Sequence, residues 1–110
     1  MLKKLLFPLL CLSSMAHADI VSWYGGGFHG RRAADGSVFN QNALTCASNS
    51  HALGTKLLVT NPKNNKSVIV KVTDKGGFGK YGRKLDLSRG AFMRIADLNQ
   101  GVANVVITKL

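Results

Sequence analysis

Glutamate is absent from this chain, and its five carboxylates, Asp19, Asp35, Asp74, Asp86 and Asp97, stand against 15 lysines and arginines in 110 residues. So few acids exclude an acidic surface and leave a short list of candidates for proton transfer. Cysteine is limited to Cys11 and Cys46, and proline to Pro8 and Pro62. The longest apolar run, "LLFPLLCLSSMA", is broken by Pro8 and two serines and is too short to cross a bilayer, so no membrane span is expected. His29, His51 and Cys46 have no tight ligand spacing, and "GGFGKYG" matches neither the Walker nor the dinucleotide pattern. No metal and no cofactor are expected.

What is present begins with a leader. Lys3 and Lys4 precede the apolar run, and "AHA" supplies a small-x-small cleavage signal ending at Ala18. Residues 1–18 read as a signal peptide and 19–110 as one exported domain, periplasmic or secreted. About 92 residues suffice for one small core. Cleavage leaves Cys46 alone, which excludes an intramolecular disulfide; an unpaired thiol reads first as a buried small hydrophobe and second as a reactive group. Without Lys3 and Lys4, 13 basic residues against five aspartates leave a net charge of +8. Such a surface favours an acidic partner, and an exported chain meets wall polymers before nucleic acid.

Strands are expected at 20–24, 56–60, 67–74, "LDL" and 102–109, with "NPKNNK" as a hairpin turn. One helix of two to three turns is expected after Ser88, which can cap it, with Ala91, Phe92, Ile95 and Ala96 at helical spacing. Short strands without intervening helices point to a small β-barrel or sandwich. Alternation in "SVIVKVTD" puts Val68, Val70, Val72 and Asp74 on one face. An acid that continues an apolar row needs hydrogen bonds or a cleft.

Asp74 and Asp86 flank a glycine-rich loop, "DKGGFGKYG". If the loop brings them together, like-charge repulsion raises one pKa, as a general acid requires. The alternative is structural: Asp74 makes a turn and Asp86 caps the helix or pairs with an arginine. "SWYGGGFHGRRAADG" sets Trp23, Tyr24 and Phe28 beside glycines, a flat amphipathic surface suited to sugar rings or equally to a core. The strand is expected to bury one of Trp23 and Tyr24 and expose the other. His29 reads as a loop-holding hydrogen-bonding group, or else as a proton carrier.

"SWYGGGFHGRRAADG", "NALTCA", "LGTKLLVTN", "VIVKVTDKGGFG" and "LDLSRGAF" occur in the order seen in the RlpA (rare lipoprotein A) family, which the chain resembles over nearly all of 19–110. The resemblance implies an all-β-dominated fold, a six-stranded double-psi β-barrel with one short helix, and more distantly an expansin-like module. It also implies lytic transglycosylation of peptidoglycan, with Asp86 as acid and Asp74 as its catalytic neighbour. Trp23, Tyr24, His29, Asn40, Thr45 and Ser48 would contact the substrate. The partners implied are peptidoglycan glycan strands or another acidic wall polysaccharide, met by a monomer. The chain departs from the family where many members carry Glu, Asp and His, having Ser37, Asn40 and Ser48 instead. That departure favours the alternative, a non-catalytic expansin-like glycan-binding module.

Overall fold

A computed structural model describes residues 19–76 and 83–110. The expected leader, 1–18, and the centre of the glycine-rich loop, 77–82, lie outside the described residues. Six strands form a closed barrel: β1 (Asp19–Tyr24), β2 (Thr45–Ala47), β3 (Lys56–Asn61), β4 (Lys66–Asp74), β5 (Arg83–Ser88) and β6 (Val102–Lys109). Their order around the wall is β1-β5-β2-β4-β3-β6. The β1/β5 and β2/β4 pairs are parallel, and the remaining pairs are antiparallel. This is the double-psi β-barrel with one short helix that the sequence motifs imply.

Period-two alternation builds the interior. Val21, Leu57, Val59, Val70, Val72, Leu85, Leu87 and Val105 all point inward and are buried. Phe92 and Ile95, from the segment after β5, complete this core. The "NPKNNK" turn forms as expected between β3 and β4, with Asn65 at φ 61°, a left-handed position that asparagine tolerates.

The helix, α1 (Arg89–Met93), has only five residues. Ser88 caps it as expected, its hydroxyl accepting from the Ala91 N–H. The expected second turn tightens instead, with Arg94 N–H on the Ala91 carbonyl and Ile95 N–H on that of Phe92. The Asn61 and Asn64 amides then take the Ile95 carbonyl at 2.8 and 3.1 Å, which stops the helix. At its start, a Cβ on Gly90 would lie 2.6 Å from the Asn42 carbonyl oxygen, so only glycine lets the 40–44 segment pack this close.

β2 has no counterpart in the sequence reading. Three residues, "TCA", are too few to show a period, yet they join β5 to β4.

Candidate functional site

The parallel strands decide where the acids go. Ser22 of β1 lies beside Asp86 of β5, Asp86 faces Ala47 of β2, and Ala47 faces Asp74 of β4. The last pairing depends on a register shift: Cys46 faces Val72, but Ala47 faces Asp74, so Thr73 is the extra residue of a β-bulge. A one-residue slip moves the following side chains to the opposite face. Asp74 therefore leaves the inward row of Val68, Val70 and Val72, where simple alternation put it, and shares the outer face with Asp86. Two interstrand spacings separate their backbones, about 10 Å. Ala47, itself buried, lies between them in the register.

Each acid is held differently. Asp86 accepts a hydrogen bond from the Ser22 hydroxyl at 2.7 Å. One Asp74 carboxylate oxygen accepts from the Ala34 N–H at 3.0 Å and the Lys75 N–H at 2.9 Å, while its carbonyl accepts from the Ser48 N–H. Asp74 thus ties β4 to the 30–40 loop and to the turn after β2.

Two residues along β1, β5 and β2 from the acid row, on the same face, runs a row of hydroxyls: Tyr24, Ser88 and Thr45, followed by Lys71. Ser88 spends its hydroxyl on the Ala43 carbonyl and on the Ala91 and Thr45 N–H groups. Among the described residues its neighbours have no partner: the Tyr24 hydroxyl and Thr45 Oγ1 are buried and make no hydrogen bond. Burial pushes the Tyr24 hydroxyl well above the ordinary tyrosine range, and the negative charges of Asp74 and then Asp86 add to the shift. It stays protonated and lies in the field of both acids. Burial, and secondarily Asp86, pushes the Cys46 thiol up to about 12, so this cysteine is the inert small hydrophobe of the first reading.

Tyr24 is fixed by its ring, which stacks on Phe39 with centroids 4.6 Å apart and meets Phe28 edge-on at 5.6 Å. Neither Trp23 nor Tyr24 is fully exposed or fully buried, contrary to the expected one-in, one-out pair: Phe28 and Phe39 of the 28–39 loop cover the Tyr24 ring on the outer face. Trp23 faces the core, lies 6.5 Å from Phe92 and donates Nε1–H to the Leu98 carbonyl. Its indole is thereby occupied.

His29 Nδ1 accepts from the Gln41 N–H at 3.1 Å, which is a loop-holding role and leaves Nε2 outward. Asn40 is exposed and closes an Asx turn on the Asn42 N–H. Ser48 is fully buried and its hydroxyl accepts from the Ser50 and His51 N–H groups, which sets it beneath the surface as a turn cap. Ser37 donates to Asp35, and this bond lowers the Asp35 pKa. Among the described residues no group of three or more metal-ligating side chains occurs. Ser22, Phe39 and Ala47 were absent from the sequence reading; each acts only through a cross-strand or loop neighbour.

The family model described as "Lytic transglycolase" matches residues 16–107. The chain belongs to this family of RlpA-like double-psi β-barrels. Its relatives include a probable endolytic peptidoglycan transglycosylase RlpA from Synechocystis, 51% identical over 80% of this chain and 27% of that protein. The endolytic peptidoglycan transglycosylase RlpA of Campylobacter jejuni is 41% identical over 93% of the chain and 37% of its own length. The chain thus spans about a quarter to two fifths of these RlpA proteins. Among solved structures, a mutant expansin of Clavibacter michiganensis in complex with cellohexaose superposes with a TM-score of 0.68 at 25% identity, covering 86% of this chain and 50% of that one. The Streptomyces papain inhibitor shares the fold at TM-score 0.68 and 21% identity, covering 84% and 92%. The likeness to expansins agrees with the distant resemblance noted from the motifs.

Proposed function

We propose that this barrel, exported after cleavage at Ala18, acts as a peptidoglycan lytic transglycosylase on strands of alternating MurNAc and GlcNAc. The observation that carries the reading is the acid row, in which Asp86 and Asp74 share one face on either side of Ala47. Asp86 is the acid: it protonates the glycosidic oxygen as the C1–O bond breaks, then takes the proton of the MurNAc C6 hydroxyl as that oxygen closes on C1. The product carries a 1,6-anhydro end, and no external water is activated. A hydrolase would instead need a second carboxylate placed for water or for covalent attack. Asp74 adds negative charge to the site and fixes its loop. Tyr24 and Thr45, whose hydroxyls are buried and lack partners among the described residues, supply hydrogen bonds to the sugar once the 28–39 loop is displaced from the outer face; His29 and Asn40, both exposed, lie at the rim. Trp23 and Ser48 support the site from beneath.

Support comes from the names of the RlpA relatives and from the cellohexaose-bound expansin neighbour. The expansin likeness, together with Ser37, Asn40 and Ser48, favours a second reading: a monomeric module that binds wall glycan without cutting it. The deciding experiment digests purified sacculi and peptide-stripped glycan and searches the products by mass spectrometry for anhydro-ended fragments. Release by the parent protein and loss in Asp86→Asn is the expected result. Equal cleavage by Asp86→Asn would remove the acid assignment. Sedimentation with sacculi but no fragments from either protein would establish the binding module.

A further inference from the structure

The outer-face row does not stop at Ser22. On its far side Ser22 faces Val102 of β6, and one step along the same face Ile20 is beside Asn104. There the surface opens into a cavity of about 330 Å³, bounded by Ile20 and Val102 and by the amides of Asn61, Asn64, Gln100 and Asn104, with Lys63 at its edge. Val102 is two interstrand spacings from Asp86, about 10 Å at the backbone.

Three of the four amides are held in place by backbone groups. Asn61 donates to the Ile95 carbonyl and accepts from the Lys63 N–H. Asn64 donates to the same carbonyl and accepts from the Lys66 N–H, and Gln100 donates to the Val102 carbonyl. Each primary amide has two N–H groups and a carbonyl with two lone pairs, so each keeps capacity after these bonds. Held by the backbone, these groups lose little side-chain freedom when a ligand arrives. Ile20 and Val102, 40% and 47% exposed, add an apolar rim. Neutral donors and acceptors beside an apolar patch match a sugar ring bearing an acetamido group. A single lysine is poor provision for a polyanion.

We propose that this cavity is an outer subsite that takes one N-acetylated sugar of the glycan, displaced along the strand from the bond that Asp86 cleaves. The inference rests on the glycan reading of the acid row, yet it can fail separately. The subsite sets chain-length preference, since only a strand long enough to pass Ser22 reaches it.

The test is an NMR titration of the 19–110 protein, following backbone and side-chain amide signals. The probes are a β-1,4-linked N-acetylglucosamine tetramer, the corresponding glucose tetramer and a free stem tetrapeptide. The expected result is movement of the Asn64, Gln100 and Asn104 signals with the acetylated tetramer, and at least threefold weaker binding of the glucose tetramer. Asn104→Ala, an exposed position, is expected to weaken the acetylated tetramer roughly three- to tenfold, the loss of about one neutral hydrogen bond. Movement confined to Ser22 and Ala47 signals, or a response to the tetrapeptide alone, overturns the subsite. If anhydro fragments form while the cavity amides stay still, the subsite fails and the cleavage reading stands. If the amides respond but no anhydro fragments form, the subsite stands and the cleavage reading fails.

Discussion

Replacing Tyr24 with phenylalanine is expected to move stability and glycan binding in opposite directions. The ring contacts with Phe39 and Phe28 survive the change, so the aromatic stack is retained. What disappears is a buried hydroxyl with no hydrogen-bond partner. Leaving such a group buried costs about 1–3 kcal/mol, and its deletion returns part of that. For a domain of this size each 1 kcal/mol raises Tm by roughly 4–8 °C. Glycan binding loses one hydrogen bond at the same time, a roughly three- to tenfold weaker Kd. Thermal unfolding of the two proteins, paired with sacculus binding and anhydro-fragment release, reads both effects. A Tm that falls by several degrees would show that the hydroxyl has a partner after all. Unchanged binding and turnover would remove Tyr24 from the substrate site. Gain of stability with loss of function is the pattern of a group held unsatisfied for a ligand.

Thr45→Val repeats the test on the second unpartnered hydroxyl and should likewise leave Tm unchanged or raised while glycan binding weakens; a lower Tm refutes it. The folded Cys46 thiol is pushed from an ordinary 9.0 up to about 12, so the unfolded thiol ionises first as pH rises. Stability should be flat through neutrality and fall above about pH 9, by at most about 1.4 kcal/mol per pH unit for this proton. Urea unfolding at pH 8 to 11 measures the slope, and Cys46→Val should flatten its first limb. Tyr24, also raised, adds its own loss above about pH 10, which Tyr24→Phe should remove. Sacculus binding should weaken with salt, because the Debye length shrinks from about 8 Å at physiological ionic strength to about 3 Å at 1 M. Salt-independent binding would show that the basic surface is not the attachment device.

The strands that alternate over five or more residues were legible, because one buried face imposes a period of two. The Ser88 cap and the turn after Asn61 were legible through local chemistry that needs no tertiary partner. β2 was not, since three residues carry no period and its pairing depends on strands on both sides. The face of Asp74 was misjudged for a related reason: a bulge is one uncounted residue, and Thr73 resembles any other strand threonine until Ala47 is set opposite. Alternation along β1 could not show that Tyr24 is half-buried, because its cover, Phe28 and Phe39, comes from the 28–39 loop. The acids themselves were found by their scarcity. Their spacing, and the hydroxyl row beside them, arise from cross-strand register that motifs along one strand do not encode.

The first strand has both its neighbours in the last third of the chain. Ser22 reaches Asp86 across 64 residues, and Val102 lies further still. Loop closure of that length is slow, and the wall cannot close while β5 and β6 are still unmade. During synthesis β1 therefore has no native neighbour until β5 and β6 emerge, so the barrel forms only after its last strand is made.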